Sequence, residues 1–286
     1  MIGRALRVGA ALVLLALAWH FANGDAALER LAQADWRWLG AAVLAVNLQT
    51  VLSALRWRLT AKALGQRIDR VQAVGEYYLA QLVNQTVPGG VLGDAGRAVR
   101  ARHSADLLRS GQAVVIERLA GQFALAAVLL PALALSGHGL WALGLLALGL
   151  GLVAGTRALP RLRALLTPLR RALAGRDVRG RQIALGFAIV VANLASFAFC
   201  AYASGTALPL AAILTLVPLI LSAMLVPLSI AGWGWREGAA AALFPLAGAT
   251  PEAGLAASAA FGAVLLLSSV PGLFWLAWQH QRIRTA

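Results

Sequence analysis

Two arginine-bearing breaks in apolar sequence hold the residues best suited to chemistry. Val87–Arg97 reads V-P-G-G-V-L-G-D-A-G-R, and Val226–Arg236 reads V-P-L-S-I-A-G-W-G-W-R. Both fit one skeleton of Val-Pro, four residues, Gly, three residues and Arg, with Pro88, Gly93 and Arg97 in the first and Pro227, Gly232 and Arg236 in the second. A break in an apolar helix frees backbone groups, which are tolerated at membrane depth only inside protein or beside a water-filled cavity. Half-helix N-termini present free N–H groups and a positive dipole end, which suit anions. Gly89, Gly90 and Gly93 let backbone approach a ligand closely, and Arg97 adds a planar fork for phosphate oxygens. Pro88, Pro227, Gly232 and Gly234 are the hinge positions. Trp233 and Trp235, beside Arg236, suit the head-group level of a membrane. The chemistry implied is non-covalent capture of an anionic, amphipathic ligand such as a phosphate-bearing lipid. Two Pro/Gly kinks with interfacial arginines would use the same residues, and it is the repeated skeleton that favours a site.

Acids near these breaks are expected to hold the arginines in place or relay protons. They are Asp94 in the first break, Glu237 beside Arg236, and Glu117 within a long apolar run. An ionised acid at mid-membrane costs roughly 2.5–3.5 kcal/mol on insertion scales, so it faces the bundle interior and finds a partner. Glu117 is therefore expected to pair with Arg97 or Arg236. Arg118, adjacent in sequence, points elsewhere on the helix and is expected to reach a head group or to snorkel. Glu76 lies in the limb before the first break. His103 and Asp106 are spaced i, i+3, but two residues do not make a metal site, and neither a metal nor a cofactor is expected. No nucleophile elbow, P-loop, dinucleotide fingerprint or zinc motif is present. Cys200, the one cysteine, reads as a small buried hydrophobe.

The elements that carry these residues are membrane helices. The 286 residues are 60% hydrophobic and 13% charged, against roughly 25% charged for a soluble domain. Several apolar runs reach about 20 residues, enough to cross a bilayer. The net charge is +14, yet the basic residues sit mainly between apolar runs, and all but Lys62 are arginines. That pattern marks positive-inside topology and contact with anionic head groups, and it argues against nucleic acid as a partner.

The fold expected is an all-α polytopic membrane protein with about six full spans and two re-entrant helical hairpins. The spans end or begin near Ala22, at 39–55, 111–135, 140–155, 182–204 and 252–278. Arg56–Arg70 reads as an inside loop. The first hairpin covers 71–110: a full crossing would put Arg97, Arg100, Arg102 and Arg109 outside, against the Lys/Arg rule. The second covers 211–250. Residues 157–181 carry eight arginines, one acid and leucines at helical spacing, a basic amphipathic linker on the cytoplasmic face. It separates a first membrane repeat, 1–156, from a second membrane segment, 182–286. From Leu39 to Arg97 is 58 residues and from Gln182 to Arg236 is 54, so the halves read as a repeat of about 140 residues. The charge pattern orients them oppositely, an inverted repeat with broken helices as in many secondary transporters. The N- and C-termini are expected in the cytoplasm.

The run P-G-G-V-L-G-D-A-G-R (Pro88–Arg97), then V-V-I-E-R-L-A-G (Val114–Gly121), then P-L-S-I-A-G-W-G-W-R-E-G-A (Pro227–Ala239) resembles the lysylphosphatidylglycerol synthase transmembrane family. That family includes the membrane flippase portion of the multiple peptide resistance factor and stand-alone flippase-like proteins. The resemblance covers nearly the whole chain and implies lipid movement between leaflets. With the sequence closing at Ala286, no synthase domain is expected and aminoacyl transfer is not carried over. By resemblance Pro88, Gly89, Gly90, Gly93, Asp94, Arg97, Glu117, Arg118, Gly232, Gly234, Arg236 and Glu237 match motif positions. Trp233 and Trp235 depart from the smaller residues expected there.

The leading expectation is an integral inner-membrane flippase for an anionic lipid, either an anionic phospholipid or a polyprenyl phosphate, and not an enzyme. Arg97, Arg118 and Arg236 would bind the head group. The alternative is a membrane enzyme or accessory protein of cell-envelope lipid or glycan synthesis acting on polyprenyl-phosphate-linked substrates. A separate lipid-modifying enzyme is a candidate partner.

Overall fold

The computed structural model describes residues 2–87, 91–104, 106–158, 164–225 and 232–285. Helix follows helix, with no strand among the described residues. In chain order these are α1 (Ile2–Phe21), α2 (Gly24–Ala32), α3 (Trp36–Ala63), α4 (Arg70–Thr86), α5 (Leu92–Arg100), α6 (Leu107–Leu135) and α7 (Gly139–Ala158). They continue as α8 (Leu166–Ala174), α9 (Arg179–Ala203), α10 (Leu210–Ala223), α11 (Trp235–Leu243), α12 (Pro251–Ser269) and α13 (Pro271–Thr285). Ala- and Leu-rich sequence favours this throughout. Starts are set by local chemistry: Asp106 caps α6 by accepting the Arg109 N–H at 2.7 Å, and Pro251 opens α12 where its missing N–H costs nothing.

Four stretches among the described residues are long and apolar enough to cross a bilayer: Trp36–Ala63, Leu107–Leu135, Arg179–Ala203 and Pro251–Gln281. They match the second, third, fifth and last spans expected. The first and fourth expected spans fall on α1 and α7, each 20 residues long, whose apolar stretches among the described residues are Leu12–Phe21 and Gly139–Gly155. One boundary differs instructively. The expected inside loop at Arg56 is helix as far as Ala63, because charged side chains interrupt an apolar pattern without breaking the backbone ladder.

The chain forms two compact units. The first comprises Met1–Thr50, Gly75–Gly96 and Val191–Ala286, the second Val51–Val74 and Arg97–Val190. In the first unit α12 is the central helix. It is buried along most of its length and packs on α11 and α2, while α1 packs on α11. Small residues make this possible: Ala18, Ala22, Ala27 and Ala256 form a core with Leu255, and small side chains let helix backbones approach closely. Phe197 fills the space beside Phe244 and Phe261, with ring centroids 6.4 and 5.4 Å away.

In the second unit α6 packs on α7 and α8. Buried amides link segments of this unit. Gln182 Nε2 donates to Thr60 Oγ1 and the Ala172 carbonyl, each at 3.0 Å, and Gln66 Nε2 donates to Ser110 Oγ at 2.6 Å. On α7, Leu140, Leu143, Leu148 and Leu150 are exposed, as lipid-facing residues would be.

Candidate functional site

At the first break, α4 ends at Thr86 and α5 begins at Leu92. Pro88, Gly89 and Gly90 lie outside the described residues. The chain folds back so closely that a Cβ on Gly93 would sit 2.0 Å from the Ala80 carbonyl oxygen, so only glycine fits. Asn84 fastens this turn. Its Oδ1 accepts the Gly93 N–H at 2.8 Å and its Nδ2 donates to Asp94 Oδ2 at 3.3 Å. The start of α5 thus lies against α4, and Asp94 is buried in the first turn of α5, where a carboxylate complements the helix dipole.

Arg97, one turn further along α5, has no exposed surface. Its Nη2 donates to Glu117 Oε2 at 2.9 Å, and Arg56 Nη2 donates to Glu117 Oε1 at 2.8 Å. One buried carboxylate on α6 thus bridges guanidinium groups from α5 and α3. The Arg97 guanidinium also lies over the Trp57 ring, 4.9 Å from its centroid. Of the two partners expected for Glu117, Arg97 and Arg236, it is Arg97 that pairs with it. Arg56 is the member that the sequence did not reveal, because it was read with its neighbours as an inside-loop charge. Arg118 is exposed, turned about 100° around α6 from buried Glu117 as its neighbour in the helix.

At the second break, α10 gives way to α11, and Pro227 lies outside the described residues. Gly232 and Gly234 have φ of +81° and +88°, the left-handed region that glycine enters freely. Gly232 returns against Met224, whose Cα would be 2.9 Å from an added Cβ. Gly234 is the residue before α11, and Glu237 reaches back so that its Oε2 accepts the Gly234 N–H at 2.7 Å, half of a capping box. Its other oxygen, Oε1, takes Arg236 Nε at 3.0 Å and also Nη2. Ser258 on α12 completes the cluster by accepting from Arg236 Nε at 2.9 Å and donating to Glu237 Oε1 at 3.0 Å. The guanidinium lies over Trp233 at 5.1 Å and Phe261 at 5.5 Å. Gly262 makes room: a Cβ there would be 2.6 Å from both Arg236 Nη2 and Trp233 Cζ2.

Trp233 and Trp235 thus do different work. Trp233 stacks on the arginine. Trp235 lines an apolar cavity of about 590 Å3 with Leu14, Leu17 and Phe21 of α1 and Gly238 of α11. Ser258 and Gly262 were missed because a lone serine and glycine in an alanine-rich helix carry no pattern; their spacing from Arg236 has meaning only once α12 packs on α11.

Glu76 is also buried. It accepts from Gln279 Nε2 at 2.6 Å and Trp275 Nε1 at 3.3 Å. The Asp106 side chain caps α6 and pairs with Arg109, and the His103 side chain lies outside the described residues. No cluster of three or more His, Cys, Asp or Glu with metal-binding arrangement occurs among the described residues.

Two fully buried arginines, each held by a carboxylate beside an aromatic face, thus lie next to the two breaks of an all-helical chain with stretches long and apolar enough to cross a bilayer. The chain matches the family described as Lysylphosphatidylglycerol synthase TM region over residues 4–272, and it belongs to that family. No curated protein matches it.

Proposed function

We propose that the protein is a lipid transporter, not an enzyme, that moves an anionic, phosphate-bearing lipid between the leaflets of the inner membrane. The observation that carries this reading is that Arg97 and Arg236, one at each break, are both fully buried. A buried guanidinium in a membrane protein is costly and marks a substrate or ion path by default. Each is pre-set by a carboxylate and a tryptophan face in the geometry that suits a phosphate. Membership of the family supports lipid handling.

In this reading the two hairpins are re-entrant and arise from an inverted repeat, with both termini in the cytoplasm. Pro88, Gly89, Gly90 and Gly93 form the first turn and Pro227, Gly232 and Gly234 the second. Arg97 and Arg236 take the head-group phosphate in turn, and exposed Arg118 receives it at the surface. Glu117, Glu237 and Asp94 hold the arginines when no lipid is bound. Acyl or isoprenoid chains remain in apolar surroundings. Movement is downhill or coupled to an ion or the membrane potential.

The test is reconstitution in vesicles. Purified protein is expected to accelerate the exchange of labelled phosphatidylglycerol or a labelled polyprenyl phosphate between leaflets, and Arg97→Ala with Arg236→Ala to abolish it. Exchange no faster than in protein-free vesicles, for every anionic lipid tried, would refute the proposal.

A further inference from the structure

The geometry points to Arg56 as a head-group ligand, a phosphate-binding residue that works beside Arg97. This deepens the transport reading and rests on it.

Arg56 differs from every other cation of its stretch. Lys62, Arg67 and Arg70 are exposed, and Arg58 is partly exposed with its Nε on the Ile68 carbonyl at 2.8 Å. These behave as topology charges. Arg56 retains only 3% of its surface and lies within α3, whose stretch Trp36–Ala63 is long and apolar enough to cross a bilayer. Nothing about positive-inside topology requires a buried guanidinium there.

Its hydrogen bonding is incomplete in a specific way. Nη2 is held by Glu117 Oε1 at 2.8 Å. Nε and Nη1 are buried and have no hydrogen-bond partner among the described residues. A guanidinium carries five N–H donors and no acceptor, and buried donors are normally satisfied. The unfilled donors ask for an oxygen acceptor, and a phosphate offers several on one atom. Glu117 already sets the separation of Arg56 and Arg97 by bridging them with its two oxygens. A phosphate oxyanion can join that bridge through Nε and Nη1 of Arg56, or replace it. Packing holds the group in register: a Cβ on Gly121 would lie 3.1 Å from Arg56 Nη2.

The ligand class is thus a phosphate oxyanion, and the transport reading makes its source a lipid head group. The experiment titrates the detergent-purified full chain with phosphatidylglycerol, phosphatidylcholine and inorganic phosphate, read by native mass spectrometry. Arg56→Lys is the principal variant, because its single ammonium keeps the charge and stays on Glu117 while the Nε and Nη1 donors disappear. The expected result is about a tenfold loss of phosphatidylglycerol affinity, the size of one charged contact, with phosphatidylcholine unchanged. Arg58→Lys, on the same helix, is expected to bind as the parent does. Thermal unfolding confirms that each variant is folded, and Arg56→Gln repeats the test.

Parent-like phosphatidylglycerol affinity in a folded Arg56→Lys chain, with affinity lost in Arg97→Gln, would overturn this inference and leave the transport reading standing. Binding of inorganic phosphate without phosphatidylglycerol would assign the site to a free anion and overturn the lipid source. A parent chain that binds neither would remove the transport reading as well.

Discussion

Replacing Glu117 by Gln removes one negative charge from between two buried guanidinium groups while keeping the side chain's volume. The carboxylate accepts from Arg56 at 2.8 Å and from Arg97 at 2.9 Å, one bond on each oxygen. The amide retains a single acceptor oxygen, so at least one charged hydrogen bond is lost, worth about 1.5–3 kcal/mol. The other guanidinium keeps its charge without a counter-charge, and removing one partner of a buried pair costs about 3–5 kcal/mol. We expect Glu117→Gln to destabilise by about 3–5 kcal/mol, and Arg97→Gln by a similar amount. If both report one interaction, the double variant costs less than the sum by about 1–3 kcal/mol. The assay is denaturant unfolding in detergent micelles followed by tryptophan fluorescence. Trp57, 4.9 Å beneath the Arg97 guanidinium, is a local reporter. Effects that add to within about 0.5 kcal/mol would mean that the pair does not interact as described.

Two further outcomes follow from other parts of the molecule. Gly262→Ala places a methyl group 2.6 Å from Arg236 Nη2 and Trp233 Cζ2, so one of them must move. Overpacking of this kind costs about 1–3 kcal/mol, and Gly238→Ala, whose Cβ meets nothing within 4 Å, is the control, expected to stabilise by the roughly 0.5–1 kcal/mol of a helical Gly→Ala change. Asp69 caps α4, accepting the Val71 N–H at 2.8 Å, and the Val71 and Arg70 N–H groups hold its pKa below the usual value. A folded pKa below the unfolded one contributes stability above the unfolded value, and this is lost as pH falls through the folded pKa. The protection of the first-turn amides of α4, taken relative to intrinsic exchange at each pH, is therefore expected to fall on acidification below about pH 4, and Asp69→Asn to remove that dependence; protection that stays constant in the parent chain would contradict the cap.

The helical membrane class was legible because bilayer length and apolar composition are properties of contiguous sequence. Pro88–Arg97 and Pro227–Arg236 were legible because prolines and glycines interrupt that composition locally. That Glu117 pairs with an arginine of one of the breaks could be anticipated because a buried acid needs a cation, but the choice of Arg97 over Arg236 could not. Arg56 could not be: in sequence it is the first of a basic cluster, and only the continuation of α3 to Ala63 separates it from its exposed neighbours. Nor could the division of labour between Trp233 and Trp235, two residues apart, which follows from the direction each takes off the start of α11.

What the sequence determined by itself is thus what adjacency and composition control: membrane helices, two breaks, and the family they belong to. What the tertiary structure alone decided is which side chains share a buried space. Glu117 is 61 residues from Arg56, and Ser258 is 22 from Arg236. No local pattern encodes such distances, because a buried charge selects its partner by proximity after the helices have packed.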